Sequence, residues 1–206
     1  MSRPLVVTDC DEVLLHMVSH FRDWLGEAHA VDFALDGTDF SSALTRRWDR
    51  SVVVRDEVWT LLNGFFRDEM GRQTLVPGAG DALNALARHA DVVILTNILD
   101  EHRGARREQL AALGLDFPVH CNQGGKGAPV KALVEEYRPS VAVFVDDLPQ
   151  HHESVARAAP DVFRLHMIAE PLLAERIGPA PHAHARIDDW SRALPWIEAR
   201  LAGEPL

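Results

Sequence analysis

Cysteine is nearly missing from this chain, which carries Cys10 and Cys121 and no others among 206 residues. Two thiols cannot form the framework of a small disulfide scaffold, so both are expected to be reduced. Long apolar runs are missing as well. No stretch approaches the roughly 18 residues of a membrane span, and the first residues show no charged segment leading into an apolar one. The expectation is a cytoplasmic protein with no membrane partner. Positive charge is in deficit, with 21 Lys and Arg against 31 Asp and Glu and a net charge of −10. A nucleic-acid backbone requires a basic face, so nucleic acid is excluded as the main partner. A local site can still oppose the global sign and take a small anion. The hydrophobic content of 47% and charged content of 25% exclude disordered and fibrous classes. The length fits one domain with a modest insertion.

Within that composition three apolar runs stand out: LVV at 5–7, VVIL at 92–95 and VAVFV at 141–145. Each is short, rich in β-branched residues and continuous rather than alternating, as strands buried on both faces of a parallel sheet read. Helical patterns near 100–113, 128–137 and 150–159 separate them from further apolar pieces at 117–120 and 162–166. This alternation predicts an α/β fold, a Rossmann-like three-layer core around a central parallel sheet. Each of the three runs ends in polar residues: Thr8-Asp9-Cys10-Asp11, Thr96-Asn97 and Asp146-Asp147. Ligands in such folds bind beyond the carboxyl ends of the strands, so these clusters are expected to converge.

Residues 13–75 break the alternation. VSHFRDWLGEAHA, FSSALTRRWDRSVV and VRDEVWTLLNGFFRDEMG each show helical spacing with aromatic positions, and the segment reads as a small, mainly helical cap over the strand ends. The core is then 1–12 with 76–206. Pro77-Gly78 opens a helix, AGDALNALARHA, leading into the second strand, and the tail reads as a Pro-rich connector with one closing amphipathic helix.

Two aspartates one residue apart are a weak signal alone. Here a buried strand precedes them, and a hydroxyl (Thr96), a lysine before a helix (Lys126) and paired acids (Asp146, Asp147) come after them in order. That order resembles the haloacid dehalogenase (HAD) superfamily. VVTDCDEVL is similar to its first motif, VVILTN to its second and FVDDLPQHHES to its fourth, and PGAGDALNALARHADVVILTN resembles the lead-in of members with a helical cap after the first motif. The resemblance implies a phosphohydrolase in which Asp9 attacks phosphorus to give an aspartyl-phosphate and Asp11 exchanges protons with leaving group and water. It further implies Mg2+ held by Asp9, the Asp11 backbone carbonyl, Asp146 and Asp147, with Thr96, the Asn97 amide and Lys126 on the phosphoryl oxygens. The partner would be a small phosphorylated substrate.

Several alternatives stay open. GGKGAPVKAL offers both Lys126 and Lys131 as the site cation, with Lys126 preferred for its place before the helix. A phosphomutase would keep the fold and differ in how the cap excludes water. A non-catalytic phosphate- or metal-binding regulator is the third reading, although a receiver domain carries its paired acids early, the reverse of the order here. The metal-free dehalogenases lack the second aspartate, so Asp11 speaks against that branch. The family often has glycine where Glu12 stands. His16 and His20 have ligand spacing but no evident third ligand. His151-His152 read as the start of a solvated helix or as site lining. Arg46, Arg47, Arg50 and Arg55 with Trp24, Trp48 and Trp59 read either as a lining for an anionic substrate or as a solvated face over an aromatic cap core.

Overall fold

The computed structural model describes residues 2–34 and 43–204. The first part of the chain forms β1 (Leu5–Thr8), β2 (Leu15–His16), α1 (Val18–Ala28), β3 (Val31–Phe33), β4 (Leu44–Arg46), α2 (Arg55–Asp68) and β5 (Thr74–Leu75). Next come α3 (Ala79–Leu86), β6 (Asp91–Thr96), α4 (Arg103–Ala112), β7 (Val119–Cys121), α5 (Gly127–Tyr137) and β8 (Ala142–Asp146). The chain closes with α6 (Pro149–Ala158), β9 (Phe163–His166), α7 (Pro171–Ala174), β10 (Ala185–Arg186) and α8 (Trp190–Leu201).

Six strands form one parallel sheet in the order β10-β9-β8-β1-β6-β7. The continuous apolar runs reflect burial on both faces. Along β1, Val6 packs into one apolar cluster with Leu83, Leu86, Trp190 and Ile197, while Leu5 and Val7 pack into another with Val130, Leu133 and Val155. Successive side chains of a strand point to opposite faces, so both layers are apolar only if every position is. Helices α3 and α8 therefore cover one face and α5 and α6 the other, which is the expected three-layer core. Among the described residues no helix is long and apolar enough to cross a membrane.

Because β1 lies between β8 and β6, the polar ends of the three runs fall on three adjacent strands. Strands in a sheet are about 4.8 Å apart. Thr8 is level with Val145 of β8 and Ile94 of β6, and the Asp9 amide continues the ladder to the Val145 carbonyl at 2.8 Å. The convergence thus comes from strand order and register.

The insertion leaves and rejoins this core at one point: β2 and β5 pair antiparallel, with Leu15 opposite Leu75 and His16 opposite Thr74. Between them α1 and α2 enclose a separate apolar cluster built on Phe21, Trp24, Leu25, Leu61 and Phe65. The expected helix over FSSALTRRWDRSVV is not formed. Phe40, Ser41 and Ser42 lie outside the described residues, and the rest of the stretch forms β4, paired antiparallel with β3, and a turn. Leu44 and Phe33 face the cluster on the hairpin, and Arg47 and Arg50 both bind Asp32, so cross-strand packing and charge pairing override the helical spacing. The tail also differs: its Pro-rich connector contributes β10 as a sixth strand, two residues long and too short to show a period.

The contact between α5 and α6 sets the position of the loop before α5. A Cβ added at Gly127 would stand 2.2 Å from the Ser154 carbonyl oxygen, and the Gly127 amide donates to Ser154 Oγ at 2.8 Å. Gly127→Ala is expected to cost about 1–3 kcal/mol by forced displacement of α5. Gly104→Ala, with open space around its Cβ, is expected to leave stability level or slightly higher. Equal midpoints for the two variants in urea denaturation would contradict this account of the α5–α6 contact.

Candidate active site

Asp9 stands one residue past β1, with its carboxylate in the crevice where the sheet order reverses direction. The Cys10 amide donates to Asp9 Oδ1 at 2.7 Å, and Lys126 Nζ lies 2.7 Å from the same oxygen. Lys126 Nζ is also 2.7 Å from Asp146 Oδ2 at the end of β8. The ammonium is fully buried between two carboxylates, which is how a buried charge is tolerated. Lys131 instead pairs with Glu135 on the exposed face of α5, at 3.9 Å. Lys126 is therefore the lysine at the carboxylates. Its place immediately before α5 carries its side chain under the β1–β8 crevice.

Asp146 and Asp147 are held by local bonds. Asp146 Oδ1 accepts from the Leu148 amide at 2.9 Å. His152 Nε2 meets the Asp146 carbonyl at 2.9 Å, and His166 Nε2 meets the Asp147 carbonyl at 2.8 Å. His151 is buried as well, with Nε2 at 3.4 Å from Asn97 Nδ2, so neither histidine of this pair begins a solvated helix. Burial depresses the His152 imidazole to about 4 and keeps it neutral at physiological pH. Carboxylate oxygens of Asp9, Asp146 and Asp147 lie within 4.8 Å of one another.

The electrostatics of this trio are strongly uneven. Burial pushes the Asp9 carboxyl up to about 7 against the pull of Lys126, with Asp146 adding to the rise. Burial and the neighbouring Asp146 and Asp9 raise Asp147 well above the carboxylate range. Burial acts in the same sense on Asp146, but there the Lys126 ammonium outweighs it and holds the group low. The donor set is all oxygen, compact and short of positive charge, which fits a hard divalent cation such as Mg2+. Asp9, Asp146 and Asp147 are the side chains that would hold it.

Asp11 makes a separate set of contacts. Its carboxylate accepts from Thr96 Oγ1 at 3.3 Å, from Gln73 Nε2 at 2.6 Å and, through both of its oxygens, from Arg106 Nη2 at 3.0 and 3.2 Å. Arg106 is fully buried, touches Cys10 Sγ at 3.2 Å and lies 5.5 Å from the centroid of the Phe66 ring. Neither Arg106 nor Gln73 was evident from the sequence. Arg106 carried a usable signal, since it shares one helical face with Leu110, the apolar anchor of α4. Asn97, at the exposed end of β6, donates to the Gly124 carbonyl at 2.9 Å and accepts from Asn122. It thereby ties the β6 exit to the glycine loop before Lys126.

Three arginines of the insertion are engaged in ion pairs of their own. Arg46 pairs with Glu57, and Arg47 and Arg50 with Asp32. Trp24 is buried in the insertion's own cluster, and Trp48 is exposed.

No protein-family model matches the chain, and no curated protein sequence matches it. Solved structures do match. A protein from Burkholderia xenovorans LB400, assigned as a haloacid dehalogenase-like hydrolase, aligns over 98% of this chain and 99% of its own, at 15% identity and a TM-score of 0.66. The chain has the haloacid dehalogenase-like fold. Two further structures with the HAD-like fold carry more specific assignments. One, from Thermotoga maritima, is assigned as a beta-phosphoglucomutase; it covers 95% of this chain and 98% of its own, at 14% identity and a TM-score of 0.61. The other is assigned as the HAD-hydrolase YfnB from Bacillus subtilis and is bound to magnesium; it covers 96% of this chain and 99% of its own, at 12% identity and a TM-score of 0.64.

Proposed function

We propose that this chain is a Mg2+-dependent phosphatase of the HAD superfamily, acting on a small phosphorylated metabolite, with residues 13–75 as its cap. The observation that carries the reading is the buried Lys126 bridging Asp9 and Asp146 at 2.7 Å each, with Asp147 beside them and Asp11 two residues on. A carboxylate pinned through one oxygen in this way is a positioned nucleophile. An Asp9 oxygen attacks phosphorus and the ester oxygen leaves, taking a proton from Asp11. Asp11 then removes a proton from water, which attacks the same phosphorus, releases inorganic phosphate and restores Asp9. Thr96, the Asn97 amide and Lys126 would contact the phosphoryl oxygens, Thr96 by turning its hydroxyl away from Asp11. Mg2+, when bound, supplies charge neutralisation between carboxylates and phosphate. Arg106 and Gln73 position Asp11, and the Gln73 contact links the cap root to the proton-transfer group.

The test is turnover of a panel of sugar phosphates, nucleotides and small phosphoesters, with Mg2+ and with EDTA. Phosphate release that needs the ion is expected. Release indifferent to EDTA sinks the mechanism, and no release from any monoester favours a binding role.

Metal binding should also depend on pH. In the ion-free protein Asp9 keeps a proton up to about 7 that the unfolded chain has lost above about 3.8. This group's contribution to stability is therefore present at low pH and lost as pH rises through about 7. A cation recovers that loss by replacing the proton. Mg2+ is expected to raise the melting temperature by several degrees near pH 8, at about 2–4 °C per kcal/mol for a chain of this size. The shift should vanish by about pH 5.5. A shift of the same size at both pH values would contradict the assignment of the ion to Asp9 and Asp147.

A further inference from the structure

Glu12 stands at φ +59°, in the left-handed region that favours glycine. Its side chain reaches the start of α1. Oε1 accepts from the amides of Met17 at 2.8 Å and Val18 at 2.6 Å, which satisfies the start of α1. Oε2 is buried with no hydrogen-bond partner among the described residues. Glu170, also buried, spends Oε1 on the Leu172 amide at 3.3 Å, and His16 lies half-buried on β2. One donor atom from each of Glu12, His16 and Glu170 lies within 4.8 Å of the other two. The charged groups that act most strongly on Glu12 are Glu170 and Asp11, both acidic. Two buried carboxyl groups, one of them carrying the orphaned oxygen, thus lie together beside a half-buried imidazole.

We propose that Glu12, His16 and Glu170 form a second divalent-metal site, distinct from the Asp9–Asp146–Asp147 trio and suited to Zn2+. The donor chemistry selects the ion: one imidazole with two carboxylates suits Zn2+, whereas Mg2+ prefers oxygen alone. Three protein ligands with the exposed side of His16 open leave a fourth position for water. The ion would tie the exit of β1 and the root of the insertion to the segment after β9, where the Ala169 amide already donates to the Glu12 carbonyl at 2.9 Å. His20 takes no part, its Nε2 lying 3.0 Å from Thr74 Oγ1.

The experiment is titration of the full chain with Co2+ as a spectroscopic probe, followed by competition with Zn2+. One tight equivalent is expected, with visible bands of a nitrogen-bearing site, displaced by Zn2+ but not by millimolar Mg2+. It should survive in Asp147→Asn and His20→Ala. It should weaken by at least about tenfold in His16→Ala and Glu170→Gln. His16 is partly exposed, so its variant is expected to fold, and circular dichroism checks this. Wild-type affinity in folded His16→Ala overturns the proposal, as does the lack of any tight Co2+ equivalent in the wild type. Loss of the site in Asp147→Asn would overturn it too, by assigning the ion to the Asp9 crevice.

Discussion

Asp9→Asn is expected to lower phosphate release by at least about 10,000-fold while leaving the fold intact, because an amide oxygen cannot open a covalent route through this position. The substitution keeps the shape, and Asn can still accept at Oδ1 from the Cys10 amide and Lys126, both now at 2.7 Å. It also removes one of three crowded carboxyl groups, so the melting temperature should hold or rise. The decisive measurement pairs steady-state turnover with acid quenching of labelled substrate. Wild type should retain label on the protein, and the variant should retain none. Turnover within tenfold of wild type would end the case for Asp9 as nucleophile.

Lys126→Met tests the same crevice from the side of its cation. The ammonium is buried against Asp9 and Asp146, and taking it away leaves carboxylates without their partner. Breaking a buried pair on one side costs about 3–5 kcal/mol. The sign with pH is set by Asp146, which Lys126 now holds below its ordinary range despite burial. Without the lysine, burial prevails and the carboxyls hold protons in the folded state. The variant should then be weakest near pH 8 and recover toward about pH 5.5, where those protons are available. Turnover should fall by about 100- to 1,000-fold, the usual loss for one electrostatic stabiliser. Lys131→Met, on the exposed face of α5, should match wild type in both measurements. A pH-independent loss of stability in Lys126→Met would show that packing rather than charge explains it.

The buried strands could be read in the sequence because burial on both faces leaves continuous runs such as VVIL and VAVFV, and the polar residue after each run marks a crevice edge. Lys126 could be placed for a local reason, its position before α5. Long-range partners leave no such mark. Arg106 reaches Asp11 across 95 residues of sequence and Gln73 across 62; the face shared with Leu110 marks Arg106 as inward but does not name its partner, and Gln73 looks like an ordinary surface residue until the insertion folds back. The β3–β4 hairpin was hidden because a few apolar residues per short strand fit a helical spacing equally well. In the sequence Glu12 is marked only by the glycine that the resemblance favours at its place. The left-handed backbone of Glu12 aims the carboxyl at the start of α1.

The pairing of β2 with β5 has a consequence for how this protein can change. Leu15 and Leu75 are cross-strand neighbours, so the intervening chain begins and ends at one place on the core. Its apolar cluster is largely its own, centred on Phe21, Trp24 and Phe65. A segment anchored this way is exchangeable. It can lengthen, shorten or be replaced through a two-strand stem without disturbing the register of β1 against β6 and β8. Only a replacement that retains Gln73, beside that stem, keeps the hydrogen bond to Asp11.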